Sequence, residues 1–299
     1  MDARYHPGEL EVQRRAGLSD EAERIRDSIA SLLSVDSASF LVARRFVVLG
    51  ATDDDGRVWA TALAGPRGFV GVLDARTVRL AAQPPDGDPL SAALHRPAPT
   101  PLALIALDPT TRTRVRINGY GGYVDDALYV RVEQGYTNCR KYIATRRLAA
   151  REEAGPTEAS QRGSELSQPQ RRLITETDSF FIASVAGAGA DVSHRGGNPG
   201  FVRVVSARRL SWPDYRGNAM FNTLGNLSLK PRAGLLFIDW ESGDTLQLAG
   251  SAQVDWSPER AREVAGAQRM VDFTVEAVVE APRALPLSWE LVARSPFNP

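Results

Sequence analysis

Short apolar runs separated by turn residues, and stretches where polar and apolar positions alternate, dominate the chain; this is the pattern of buried and half-buried β-strands. Arg114-Val115-Arg116-Ile117 and Thr245-Leu246-Gln247-Leu248 alternate strictly, so one face turns inward and the other toward solvent or a partner. Phe273 to Val279 reads as a further strand. Helical periodicity is confined to two places. Ser19 or Asp20 caps a predicted helix whose positions Ala22, Ile25, Ile29, Leu32 and Leu33 share one face. Ser257-Pro258, a cap followed by proline at the first helical position, opens a second that is predicted to run to about Met270.

The chain also repeats itself, and a repeat decides the architecture. Phe40-Leu41-Val42-Ala43 returns as Phe180-Phe181-Ile182-Ala183, and the segment from Gly68 to Arg76 returns as Gly200 to Arg208. Ile105 to Gly119 matches Leu236 to Gly250 without a gap, with Asp108 and Asp239 early and Gly119 and Gly250 at the close. Order and spacing agree three times. The expected fold is therefore mainly β with flanking helices, an α+β chain built as two tandem six-stranded-type barrels packed about a pseudo-twofold axis. Glu152 to Gln170, rich in Glu, Gln, Ser and Gly, has a linker's composition. The expected organisation is an N-terminal half with its leading helix over 1–150, a linker over 151–170, and a C-terminal half over 171–299.

Composition narrows the chemistry. The 36 basic and 36 acidic residues cancel, so no global field attracts nucleic acid or an anionic membrane, and any anion site must be local. No segment approaches the roughly 18 apolar residues of a membrane span, and a cytoplasmic protein is the expectation. Cys139 is the only cysteine and the histidines are His6, His95 and His194, too few and too scattered for a metal motif. Lys141 and Lys230 are the only lysines, so in this arginine-rich chain only arginines placed in a motif carry information.

Three stretches carry a resemblance: Asp191-Val192-Ser193-His194-Arg195-Gly196-Gly197-Asn198-Pro199-Gly200-Phe201-Val202, then Pro213-Asp214-Tyr215-Arg216-Gly217-Asn218, then Met220-Phe221-Asn222-Thr223-Leu224-Gly225-Asn226. Together they resemble the flavin-nucleotide-binding branch of the pyridoxamine-phosphate-oxidase-like superfamily. The likeness extends to His6-Pro7-Gly8-Glu9, to Asn138-Cys139-Arg140-Lys141-Tyr142-Ile143, and to Ser295-Pro296-Phe297-Asn298-Pro299. It implies FMN-binding split β-barrels in which FMN lies in a groove between two copies, here an intrachain pseudo-dimer. It also implies an FMN-dependent oxidoreductase acting on a small molecule or oxygen. The alternatives are a non-catalytic protein binding flavin, haem or deazaflavin, and a structural protein that has lost its cofactor. The Arg and His that hold substrate at the C-terminus of true pyridoxamine-phosphate oxidases are absent here, and a homodimer is left open.

By position, the resemblance assigns the cofactor phosphate to Arg195 with Ser193 and Gly196, and to a loop supplying Tyr215, Arg216, Asn218, Asn222 and Thr223. Arg116, with Arg114, Asn118 and Tyr120, is assigned the opposite wall, and Lys141 is a further cation in reach. Arginine forks, hydroxyls and amides are what a compact dianion needs, and Gly196, Gly197, Gly217 and Gly225 permit close approach of main-chain N–H groups. From the residues alone, a solvated hairpin explains the same loop, and a solvated strand face explains Arg114 and Arg116. His194 is either a proton relay beside the flavin or a turn residue. Cys139, without a nearby histidine, reads as a packed thiol rather than a nucleophile, and His6 as part of a segment closing over the site.

Overall fold

The computed structural model describes residues 4–149, 159–187 and 189–299. The N-terminal half contains α1 (Pro7–Arg15), α2 (Ser19–Ile25) with a 3-10 turn at Arg26–Ser28, and α3 (Val35–Val42). Strands β1 (Phe46–Thr52), β2 (Val58–Ala64), β3 (Val70–Asp74) and β4 (Thr77–Leu80) follow, then α4 (Ser91–Leu94), β5 (Thr100–Asp108), β6 (Thr113–Val124), β7 (Ala127–Thr137) and β8 (Thr145–Ala149). After β9 (Gln161–Gly163) come α5 (Gln168–Glu176), β10 (Ser179–Ala186), β11 (Gly189–Gly196), β12 (Arg203–Ser206), β13 (Arg209–Tyr215) and α6 (Asn222–Leu229). The chain finishes with β14 (Arg232–Ile238), β15 (Thr245–Asp255), α7 (Pro258–Arg262), β16 (Ala267–Ala281) and β17 (Ser288–Ala293).

The two large antiparallel sheets have one strand order. The first runs β2-β1-β5-β6-β7-β4-β3 and the second β11-β10-β14-β15-β16-β13-β12. Their registers coincide as well: Leu107 pairs with Arg114 as Ile238 pairs with Thr245, and the bulges at Gly119 and Gly250 fall at the same place. A Cβ on Gly119 would stand 1.9 Å from the Arg131 carbonyl oxygen, and one on Gly250 would stand 2.0 Å from that of Thr274. The recurring glycines are therefore required by the bulge. Gly68 and Gly200 share a φ of +87°, and Asp108 and Asp239 each accept a main-chain N–H two residues on, closing matching turns. The chain is a tandem duplication, with seven strands on each sheet path rather than six.

Each central strand buries both faces. Val47 and Leu49 of β1 point into the first barrel, whereas Phe46 and Val48 point out of it. Phe180 and Ile182 of β10 point into the second barrel, and Phe181, Ala183 and Val185 meet Phe46 and Val48 in a core between the halves. The same alternation holds on β5 and β14, where Ala103, Ile105 and Leu107 face Leu236 and Ile238. Gly50 and Gly234 let the halves approach: a Cβ on Gly234 would lie 2.5 Å from Trp59 Cα. The termini cross over too, since β8 pairs with β17 and α1 packs on α6.

Several sequence expectations change. Phe40-Leu41-Val42-Ala43 lies on α3 and not on a strand; the segment equivalent to β10 is β1, and α3 corresponds to α5, each capped by a serine, Ser34 or Ser167. The predicted helix from Ser19 ends early because Ala30 leaves it for a two-way bridge with Gly135, leaving Leu32 exposed. The helix at Ser257 stops at Arg262: Gly266, at φ +74°, turns the chain into the long β16, which contains the expected Phe273–Val279 strand. Of the predicted linker, residues 152–158 lie outside the described residues. Gln161–Gly163 forms β9 against β16, and Ser167 caps α5.

Gly250→Ala should destabilise the protein by about 1–3 kcal/mol, whereas Gly163→Ala, which meets only the Glu165 carbonyl at 3.6 Å, should change little. Urea midpoints of the two variants would check this; equal midpoints would contradict the bulge requirement.

Candidate functional site

A two-lobed cleft opens where β6 of the first half faces β11, the β13–α6 loop and β16 of the second. Its lobes measure about 70 and 230 Å3, and Arg116, Ser193, Arg195, Tyr215, Gly217 and Asn218 border both. The loop entering α6 is unusual backbone: Ala219 and Phe221 have φ of +63° and +59°, a region few non-glycine residues occupy. Phe221, as N-cap, makes no side-chain cap, so the N–H groups of the first turn of α6, at Asn222, Thr223 and Leu224, are left facing the cleft.

Asp191 organises the buried floor. Its Oδ1 accepts from the Arg116 guanidinium and from the Tyr136 hydroxyl, the latter at 3.2 Å, while its Oδ2 accepts from Ser193 at 3.3 Å. Thr223 donates to Ser193 at 3.1 Å, and Arg116 lies over the Tyr136 ring at 4.9 Å. Arg116 and Tyr136 come from one half, Asp191, Ser193 and Thr223 from the other. The sequence reading missed Asp191 as a participant, although it begins the quoted motif.

Around this floor cations accumulate. Arg269 is buried, stacked against Phe221 and Trp256 at 5.0 and 4.7 Å, and lies 3.6 Å from Asp214. Its Nη1, and the Nε atoms of Arg114 and Arg116, have no hydrogen-bond partner. Burial, reinforced by the neighbouring Arg116 and Arg195, pushes Arg114 down to about 10, with only Cys139 and Tyr136 opposing. Burial and the proximity of Arg195 also lower Arg269, against the pull of Asp214. Mutual repulsion among buried guanidiniums is the mark of a place that needs an anion.

Of the residues put forward from the sequence, Ser193, Arg195, Gly196, Tyr215, Arg216, Asn218, Asn222, Thr223, Arg116 and Lys141 all border this cleft. Two need reinterpretation. Arg216 is two-thirds exposed and sits 3.7 Å from Glu21, so the buried cation beneath that loop is Arg269, which no local motif announced. His194 alternates with Ser193 and Arg195 along β11, and its ring packs edge-on to Phe181 of the inter-half core at 5.5 Å. Burial, with Arg114, Arg146 and Arg195 nearby, holds it well below the usual histidine range; its position is on a strand rather than a turn, it borders the smaller lobe, and its Nδ1 has no hydrogen-bond partner among the described residues. Arg116 is no solvated strand face either, being 5% exposed. Asn118 and Tyr120 border a neighbouring chamber instead of the cleft. Cys139 is half-buried in the smaller lobe.

The duplication creates a second, pseudo-related position. There Thr61 of β2 stands for Ser193, Leu63 for Arg195, Trp59 for Asp191, and Gln247 of β15 for Arg116. The chain's own Asp88 fills it: Thr61 donates to Asp88 at 2.9 Å and Gln247 at 3.0 Å. Burial pushes the Asp88 carboxyl up to about 6. This side lacks counterparts of Arg116 and Arg195; a cation near it, Arg162, donates to the Gly87 carbonyl at 2.7 Å beside Asp88.

No family model and no curated protein matches the chain. Among solved structures it is similar to an FAD-binding protein from Mesorhizobium loti, at 11% identity over 42% of this chain and 99% of that one, with a TM-score of 0.28. It is similar also to HutZ, the heme storage protein from Vibrio cholerae, at 11% identity over 38% and 94% with a TM-score of 0.28. A third is a pyridoxinephosphate oxidase family protein from Clostridium acetobutylicum, at 10% identity over 40% and 89% with a TM-score of 0.27. The assignment of two equivalent barrels rests on the strand order and registers of this chain.

Asp191→Ala would leave Arg116 buried and unpaired, a loss of about 3–5 kcal/mol of stability. Denaturant unfolding measures it, and a loss below about 1 kcal/mol would show that Asp191 does not hold the floor together.

Proposed function

We propose that the chain binds one FMN with its phosphate in the arginine cleft, and acts as an FMN-dependent oxidoreductase whose partner is a small molecule or oxygen. The observation that carries this reading is the convergence of Arg116, Arg195 and Arg269 on the lobe at the start of α6, with Arg114 in the adjoining lobe and unsatisfied guanidinium nitrogens on Arg114, Arg116 and Arg269, in a chain with no net charge. A phosphate monoester fits that donor set: two forked cations and main-chain N–H groups at the N-terminus of an eight-residue helix, beside the Ser193 and Thr223 hydroxyls, whose own hydrogens are given to Asp191 and Ser193. Bound flavin would supply the hydride or electron chemistry. Arg195 and Arg269 bind the phosphate in this reading, and Asp191 fixes Arg116 so that its charge is presented from below. The stacked Tyr142 and Tyr215, with ring centroids 5.2 Å apart, form part of the wall of the smaller lobe.

The visible spectrum of the purified protein is the first test: flavin bands support the reading, a Soret band favours haem, and a colourless protein unresponsive to added FMN removes both. Stoichiometry should be one flavin per chain, because the pseudo-related position has Leu63 and Gln247 where the cleft has Arg195 and Arg116, and Asp88 fills it. Turnover with a reduced nicotinamide and candidate acceptors separates an enzyme from a carrier. Arg195→Ala and Arg269→Ala should each cost about 1.5–3 kcal/mol of FMN binding, roughly 10- to 150-fold in affinity. Riboflavin, which lacks the phosphate, should be much less affected, and Arg67→Ala, on an exposed turn, should leave both ligands unchanged. Equal losses for FMN and riboflavin would move the phosphate elsewhere.

A further inference from the structure

Beneath α1 lies a chamber of about 410 Å3 that meets the cleft at Asn222. We propose that this chamber receives a small uncharged molecule, and that the Glu9 carboxyl is the group that gives a proton to it or takes one from it. The proposal rests on the flavin reading only in placing chemistry next door.

Glu9 is 4% exposed and stands on the chamber wall. Its Oε2 accepts the His6 main-chain N–H at 2.8 Å, closing a capping box, and its Oε1 accepts from Asn222 at 2.7 Å. Each oxygen keeps acceptor capacity beyond those bonds. Burial pushes the carboxyl up to about 7 against the opposing His6 N–H, so both protonation states are populated near neutrality. The groups facing it are His6 and Tyr5 on its own segment, Asp191 on β11, Arg116 on β6 and Tyr136 on β7; α6 presents the neutral Asn222 and Asn226. His6 does not share the role. Its Nδ1 accepts from Gly8 N–H at 3.1 Å, which leaves Nε2 protonated and donating to Asn226 at 2.8 Å, and burial lowers its pKa.

The walls define the ligand. Glu133, and Glu9 when ionised, would repel an anion, while the charges of Arg4 and Asp191 are met by Asp27 and Arg116. Asn118, Gln134, Asn222 and Asn226 offer donors and acceptors suited to an amide or carbonyl-bearing ring. In the step itself the Glu9 O–H bond breaks as a bond from hydrogen to the ligand heteroatom forms; the carboxylate left behind is reprotonated from solvent, and Glu9 exchanges no electrons.

The test uses the full chain, free of flavin, and calorimetric titration with nicotinamide in two buffers of different ionisation enthalpy between pH 6 and 9. A ligand carbonyl held by protonated Glu9 raises its pKa further, so the wild-type protein should take up a fraction of a proton on binding, most strongly just above pH 7. Glu9→Gln keeps a capping-box partner at that position but cannot ionise. It should bind nicotinamide within about tenfold, or about 1.4 kcal/mol, and take up no proton. Nicotinate, the same ring carrying a negative charge, should bind at least about tenfold more weakly. No binding of nicotinamide, no uptake by the wild type, or equal uptake by Glu9→Gln would overturn the proposal. A protein that passes these tests but binds no FMN would remove the reading of the cleft and leave the chamber standing.

Discussion

Burial of the outer faces of β1, β5, β10 and β14 against one another is the constraint on which the rest of this structure depends. A single barrel could satisfy its inner face with Val47, Leu49 and Leu104, but would present Phe46, Val48, Ile105 and Leu107 to water. An exposed apolar sheet face of that extent is a docking surface. Here the docked partner is the second copy of the same barrel, which offers Phe181, Val192, Leu236 and Ile238 in return. Linking the copies in one chain makes their association independent of concentration. The crossing of β8 onto β17 and of α1 onto α6 fixes their mutual position further.

That arrangement also creates the cleft, because at the polar rim of the inter-half core β6 of one copy reaches β11 of the other. The rim is energetically demanding. Arg116 and Asp191 are both nearly fully buried, and such a pair offsets its desolvation only when further bonds satisfy the carboxylate. Tyr136 and Ser193 provide them, and Thr223 extends the network through Ser193. On the pseudo-related side the sequence takes the other solution: Gln247, Thr61 and Asp88 satisfy one another by hydrogen bonds, with a glutamine in the place of Arg116. Two barrels with one strand order thus carry two different polar inserts, and only one of them has an excess of positive charge.

Which features were legible in the sequence follows from their range. The Gly119–Gly250 and Gly68–Gly200 correspondences could be read because each glycine answers a local backbone demand, a bulge or a positive φ, that repeats whenever the strand pattern repeats. The Phe40 match failed because a short apolar run fits a helix face as well as a strand, and Ser34, which caps α3, lies outside the matched segment. The helices starting at Ser19 and Ser257 were read too long because what ends them is not local propensity: Ala30 is claimed by Gly135, more than a hundred residues away, and the residues from Ala267 are claimed by β13 and, from Met270, by β15 as well. The quoted stretches from Asp191 and Pro213 lie on a strand and a loop that border one cleft. Arg269 was invisible, since it enters from a strand whose sequence carries no signal, and Asp191 acquires its importance only from Arg116 in the other half.

The strained entry into α6 fits the same logic. Ala219 and Phe221 adopt left-handed backbone that neither side chain prefers, at a cost of order 1 kcal/mol or more each. The conformation persists because it is held from several sides: Gln13 of α1 donates to the Met220 carbonyl, Asn218 accepts the Met220 N–H, and Arg269 lies against the Phe221 ring. The result is a helix start that no side chain caps, aimed into a cleft lined by arginines. A relaxed loop with a serine or aspartate cap would be more stable alone, but would cover the N–H groups and, with aspartate, neutralise the field. The strain, the missing cap and the unpaired guanidinium nitrogens fall together at one end of the cleft, and the proposed anion would answer all three.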